Sequence, residues 1–249
     1  ALNPVVRHYE IEINKNAGDL KEFRIAAVSD IHLGSVIGKR NIEKLSKMLV
    51  EVKPDAVFLL GDIVDGEIGP VIRNDLLKYF DCSACRDSLL AITGNHEFIG
   101  NPSVSIPYIE NKGIRILKDE MVVVRNYIQV IGRIDRFGAS YSSYHREQLE
   151  KLMEKTDPGK PVIVLDHQPL ELAEAEKAGV DLQLSGHTHN GQLWPLNYIT
   201  GLFYEISKGY GKKGNTHVIV SSGFGLWGPM VRTGSRPEIV VVDIKFNRN

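Results

Sequence analysis

Ala56-Val57-Phe58-Leu59-Leu60-Gly61-Asp62-Ile63-Val64-Asp65 decides how this chain is read. Five apolar residues without polar alternation fit a strand buried on both faces. Gly61 permits a sharp turn, and carboxylates follow directly. Such a strand ends at the carboxyl edge of a sheet, where open α/β folds keep their ligand sites. Four other segments repeat the pattern. Phe23–Val28 leads to Asp30-Ile31-His32, and Leu89–Ile92 to Gly94-Asn95-His96-Glu97. Val162–Leu165 leads to Asp166-His167, and Val180–Leu184 to Gly186-His187-Thr188-His189.

Convergence of these loops on one edge gathers carboxylates, one amide and the imidazoles of His32, His96, His167, His187 and His189. Carboxylates that close repel, and the imidazoles need partners. Divalent metals resolve both problems. Mixed His, Asp and Asn donors suit Mn, Fe, Co or Zn better than Ca or Mg, which favour oxygen. The donors exceed what one tetrahedral ion takes. Two ions about 3.5–4 Å apart, sharing one carboxylate, would use them all.

In this order, each behind an apolar strand, the motifs resemble those of the calcineurin-like metallophosphoesterases. The resemblance spans nearly the whole chain. It implies a four-layer α/β/β/α sandwich, where the residues alone support only an α/β fold. It implies that Asp30, His32, Asp62 and His189 hold a first ion. Asp62 would bridge to a second ion, held also by Asn95, His167 and His187, with Mn the expected activator. A hydroxide between the ions would attack phosphorus, with His96 beside the leaving group as proton donor or charge stabiliser. Asp65 would orient His96, and Glu97 would tune the same network. The implied activity is two-metal hydrolysis of a phosphodiester or pyrophosphate bond. Serine/threonine protein phosphatases of the superfamily carry phosphate-clamping arginines where this chain has Gly66 and Thr93. A monoester would lose those clamps, so protein dephosphorylation is the weaker reading.

A narrower likeness joins the chain to bacterial membrane-associated phosphoesterases, some related to UDP-2,3-diacylglucosamine pyrophosphatases. It rests on Gly186-His187-Thr188-His189-Asn190-Gly191-Gln192, on Asp166-His167-Gln168-Pro169, and on Ser222-Gly223-Phe224-Gly225 with Arg232 and Pro237-Glu238-Ile239. Asn190, Gln192 and Arg232 are the candidate substrate contacts. Many members of that group carry a membrane anchor. The expectation is one domain over 1–249, membrane-associated through a preceding segment, with a cytoplasmic protein as the alternative. The stretch 193–210 is rich in aromatic and aliphatic residues and is followed by Lys212 and Lys213. It reads either as an apolar lip that meets a lipid tail or a bilayer, or as a loop packed over the core.

With 30 basic and 31 acidic residues among 249, the formal charge of −1 gives no support to broad capture of nucleic acid. A nuclease and a non-catalytic scaffold remain the competing classes, and no obligate protein partner is implied. No run of about 18 apolar residues spans a membrane. Cys82 and Cys85 read first as reduced thiols, then as a local disulfide or redox pair. His8, His145 and His217 lie outside the motifs. Helices are predicted over Asn41–Val52, Pro70–Phe80, Ser103–Lys112, Ser143–Lys155 and Leu170–Ala178, and a hairpin joins Met121–Val124 to Ile128–Ile131. Strands are expected at His8–Asn14, Val218–Ser221 and Glu238–Phe246.

Overall fold

Apolar residues at successive positions of one strand serve two different cores, because side chains alternate between the faces of a sheet. The computed structural model describes residues 3–82, 88–140 and 144–247. Its strands are β1 (Val5–Ile13), β2 (Glu22–Val28), β3 (Ala56–Leu60), β4 (Leu89–Ile92), β5 (Arg115–Ile116), β6 (Glu120–Val124), β7 (Ile128–Gly132), β8 (Val162–Leu165), β9 (Leu182–Ser185), β10 (Gly209–Lys213), β11 (Thr216–Val220) and β12 (Glu238–Phe246). They form two six-stranded mixed sheets, ordered β1-β12-β2-β3-β4-β5 and β10-β11-β9-β8-β7-β6. The motif-bearing strands lie together in parallel, β2 beside β3 beside β4 in one sheet and β8 beside β9 in the other.

The helices are α1 (Lys39–Val52), α2 (Gly69–Arg73), α3 (Asn95–Ile99), α4 (Pro102–Glu110), α5 (Leu149–Met153), α6 (Leu172–Ala178) and α7 (Leu196–Phe203). Ala56, Phe58 and Leu60 of β3 meet Ile163 and Leu165 of β8 in the core between the sheets. Val57 and Leu59 instead pack on Leu45 and Leu49 of α1 and on Phe98 of α3. Val162 and Val164 pack on Leu149 and Leu152 of α5 and Ala175 of α6. Helices therefore cover the outer faces of two packed sheets, the expected α/β/β/α layering. Each fully buried large side chain contributes about 1.5–3 kcal/mol.

The expected hairpin, the outer strand at the amino end and the carboxyl-terminal strand all form. Three helices differ. The predicted run Pro70–Phe80 breaks at Asp75, whose φ is 45° and whose carboxylate accepts from Tyr108 and pairs with Lys112. Ser143 lies outside the described residues, and the helix expected from it begins only at Leu149. Ahead of it, Arg146 reaches Asp166 and the Ile134 carbonyl, and Glu147 N–H donates to Asp119, so side-chain pairing replaces helical bonds. Within 193–210 a helix forms that was not expected, and none of its residues is buried. Trp194, Leu202 and Phe203 are 67, 85 and 74 % exposed, so the loop packed over the core is not what this segment makes. Cys82 is disulfide-bonded rather than a reduced thiol. Cys85 lies outside the described residues. No helix among the described residues is long and apolar enough to cross a membrane.

Candidate metal centre

The loops after β2, β3, β4, β8 and β9 meet because their strands end on the same side of the two sheets. Their glycines let them meet closely. A Cβ on Gly94 would collide with Asp62, and one on Gly186 would collide with Ser29 and Asp30. Gly61, at φ 88°, leaves no room for a side chain beside His167.

Main-chain bonds then stitch the loops. Asp30 N–H donates to Gly61 O at 3.1 Å, and His32 N–H to Asp62 O at 2.9 Å. His187 N–H donates to the Asp30 carboxylate at 3.0 Å, and His96 N–H to Asp62 Oδ1 at 2.8 Å. Asp30, His32, Asp62, His187 and His189 have φ between 46° and 68°. That left-handed backbone costs a non-glycine residue roughly 1–3 kcal/mol. The surrounding structure sustains it at five positions of one site.

Glu97 is the main fastener. Its Oε1 accepts from Ile63 N–H at 2.8 Å and Val64 N–H at 3.2 Å. Its Oε2 accepts from Gly94 N–H at 2.7 Å and Asp62 N–H at 3.0 Å. Burial and the Asp62 charge push this carboxyl up to about 7, against the pull of the N–H groups.

Two groups of donors lie side by side. In the first, His32 Nε2 is 3.1 Å from His189 Nε2, and His189 Nε2 is 3.4 Å from Asp30. In the second, His167 Nε2 is 3.2 Å from Asp62 Oδ2 and 3.3 Å from Asn95 Oδ1, and His187 Nδ1 is 2.9 Å from the same amide oxygen. Asp62 lies between the groups, with Oδ2 also 3.8 Å from His32 Nε2. His96 belongs to neither group, although with His32 and Asp65 it makes a third cluster of possible donors. Its Nδ1 is 3.0 Å from Asp65, and its ring meets that of His32 edge-on.

The chemistry of these donors fits a divalent cation. His167 Nδ1 is 2.6 Å from the Leu60 carbonyl, which only accepts, so the ring donates there. In the neutral ring Nε2 is then a lone pair, facing two oxygens that also only accept. Lone pairs face one another unless an extra proton or a cation lies among them. The buried Nδ1 atoms of His32 and His189 have no hydrogen-bond partner, although Asp65 Oδ1 lies 3.8 Å from that of His32. Burial opposes the Asp30 charge, yet His189, His167 and His32 hold its carboxyl well below the usual range. Burial, with a further push from His167 when that ring carries a second proton, brings His187 down to about 4, so its imidazole is neutral at neutral pH.

Above these donors opens a cavity of about 670 Å³. His32, Asp62, Asn95, His96, His187 and His189 line it, and no lysine or arginine does among the described residues. Its walls are apolar. Leu196, Ile199 and Phe203 come from α7, and Ile99, Leu170 and Trp227 from elsewhere. Tyr204 stands beside His187, with ring centroids 6.2 Å apart. The wall was not foreseen as such, although Leu196, Ile199 and Phe203 carry the i, i+3, i+7 spacing of one helical face.

Of the three candidate substrate contacts Gln192 lines the cavity, and all three side chains also bond within the protein. Gln192 donates to the carbonyls of Trp227 and Pro229 and accepts from Trp227 N–H. Asn190 donates to Gly234 O. Arg232 donates to the carbonyls of Ser222, Gly223 and Gly225 and to Ser235. Through these bonds Arg232 braces the loop whose Phe224 and Gly225 N–H groups bond to Ser29 and Asp30. Asp166 is likewise no part of the donor group, since its carboxylate pairs with Arg146 at 2.5 Å and Arg133 at 3.5 Å.

A family model described as calcineurin-like phosphoesterase matches residues 23–191. A protein of Aquifex aeolicus (strain VF5) described as an uncharacterized metallophosphoesterase is 33 % identical, over 98 % of this chain and 93 % of its own length. A Bos taurus transmembrane protein with metallophosphoesterase domain is 30 % identical over 96 % of this chain, which spans only 56 % of that protein. Among solved structures, GAP50, the anchor in the inner membrane complex of Plasmodium, aligns with a TM-score of 0.57 at 13 % identity, over 90 % of this chain and 81 % of that one, a likeness of fold alone. With one family model covering most of the chain and a relative matching almost end to end, the chain belongs to the calcineurin-like phosphoesterase family of metal-dependent phosphoesterases.

Proposed function

We propose that this phosphoesterase binds two divalent transition-metal ions and hydrolyses a phosphodiester or pyrophosphate bond in a substrate with an apolar, lipid-like arm. The observation that carries the reading is the gathering of acceptor atoms from five loops at the floor of an apolar cavity. Asp30, His32, Asp62 and His189 would hold one ion, and Asp62, Asn95, His167 and His187 the other, with Mn the first metal to test. Bound there, the ions supply Lewis-acid neutralisation of the phosphoryl oxygens and lower the pKa of water.

The chain's own groups do the rest. Asp65 fixes His96 through Nδ1, which leaves Nε2 for the leaving oxygen. Burial opposes charge on His96, but its bond to Asp65 and the charges of Asp62, Asp65 and Glu97 raise its pKa, which favours the protonated ring. The apolar walls exclude water and receive the arm. Among the described residues the lining offers no guanidinium to a dianionic monoester, and Thr93, at one arginine position of the protein phosphatases, is buried and accepts from Asp135 N–H at 3.1 Å. A nucleic-acid backbone would find no cationic track in this lining. The same apolar character supports a reading in which residues 193–210 meet a membrane surface, and the bovine relative's name carries the word transmembrane.

Metal-stripped protein reloaded with Mn should cleave bis-p-nitrophenyl phosphate with kcat/KM at least about tenfold above that for p-nitrophenyl phosphate, a difference of roughly 1.4 kcal/mol in transition-state binding. Preference for the monoester would overturn the diester reading. Asp62→Asn should weaken both ions, each by more than about a hundredfold, because even partners that only support a ligand cost 10–100-fold. Loss of one ion with the other held at full affinity, seen by calorimetric titration, would refute the bridging role.

A further inference from the structure

Two uncharged stretches flank the mouth of the cavity. Residues 193–204 include α7, residues 224–231 include Trp227, and neither contains an acidic or basic side chain. They are joined at their base. Gln192 donates to the carbonyls of Trp227 at 2.6 Å and Pro229 at 3.1 Å, and Trp194 N–H donates to Thr233 at 2.9 Å. Both contribute to the cavity wall, α7 through Leu196, Ile199 and Phe203 and the second stretch through Trp227. Beyond the wall, both carry large apolar side chains into solvent. Leu202 is 85 % exposed and Met230 71 %. A surface helix normally buries one apolar stripe and wets the other face. In α7 the side chains that do not line the cavity include Tyr198 and Leu202, 68 and 85 % exposed, beside Asn197 and Gly201.

The composition names the occupant. Trp194, Tyr198 and Trp227 are the residue types that settle at the boundary between water and lipid. Basic groups follow each stretch, Lys208 after the first and Arg236 after the second. Arg236 and Met230 share the lining of a second cavity of about 330 Å³. A second copy of the chain, or a globular partner, seated on this face would close the mouth through which substrate must pass. A bilayer does not, because a lipid can slide laterally between the two stretches with its headgroup phosphate leading.

We infer that residues 193–204 and 224–231 form a two-sided rim that docks on the surface of an anionic lipid bilayer and admits the apolar arm of a membrane-resident substrate to the cavity. The inference rests on the phosphoesterase reading of that cavity and adds the second stretch, the partner and the route of entry. Cosedimentation with vesicles of phosphatidylethanolamine and phosphatidylglycerol tests it. The chain should partition onto them, and Leu202→Asp/Met230→Asp should lower the partition coefficient by at least about tenfold. Val50→Asp, at an exposed apolar position on the distant α1, should bind as the parent does. Thermal melting confirms that each variant is folded, and Leu202→Asp alone serves if the double variant is not. A folded rim variant that partitions like the parent overturns the inference. So does a parent chain that ignores vesicles while cleaving the soluble diester, a result that leaves the proposed function standing. A parent that elutes as a dimer, split by the rim substitutions, would assign this face to a second copy instead.

Discussion

His96→Ala should keep its metals and lose roughly 10²–10⁴-fold of its turnover, the range for removing a positioned proton donor. The geometry separates His96 from the donors around Asp62. Its Nδ1 is spent on Asp65 at 3.0 Å, and its backbone N–H, which the substitution preserves, supports Asp62 Oδ1 at 2.8 Å. Truncating the ring therefore leaves the Asp62 carboxylate where it is. Metal content by elemental analysis and kcat on an activated diester, read together, check this. A substrate whose leaving group needs no proton should recover much of the lost rate, which a merely structural role would not predict. His32, Asp65 and His96 also lie close enough to share an ion. If His96→Ala loses metal in proportion to activity, the histidine is a ligand and the assignment of roles fails.

Glu97→Ala should be the most damaging substitution to the scaffold of the site. It strands the N–H groups of Asp62, Ile63, Val64 and Gly94 in a place where the side chain is fully buried. Each buried donor left unpaired costs about 1–3 kcal/mol. Some will find water in the space vacated, so a net loss of roughly 3–5 kcal/mol is expected. For a domain of this size that lowers the melting temperature by roughly 10 °C. Metal affinity should fall too, because the same bonds hold the Asp62 and Asn95 loops against each other. Glu97→Gln keeps one accepting oxygen and should lie between the two. If Glu97→Ala melts and binds metal like the parent, the carboxylate is not what fastens the loops.

Some of these features are legible in the sequence and others are not, and the difference is one of range. Ala56–Leu60, Leu89–Ile92, Val162–Leu165 and Glu238–Phe246 form strands at the expected bounds, because a run buried on both faces changes character abruptly where it ends. The ligand-type residues were legible because metal chemistry demands His, Asp and Asn at strand ends. Gln192 looks equally chemical, yet its amide also bonds carbonyls 35 and 37 positions away along the chain. Nothing near it in the sequence announces those partners. The left-handed backbone at Asp30, His32 and Asp62 carries no glycine to signal it, since the fold imposes it through bonds to the neighbouring loop.

By itself, then, the sequence determined the α/β class, the paired strands and the list of side chains able to hold metal, since each follows from local periodicity and donor chemistry. Only the tertiary structure decided which of those side chains face one another, that α7 forms without a single buried residue, and that an apolar cavity stands over the metal-type donors. The physical reason is that hydrophobic period and turn chemistry act over a few residues, while a site is made by strands that the hydrophobic core aligns from the whole length of the chain.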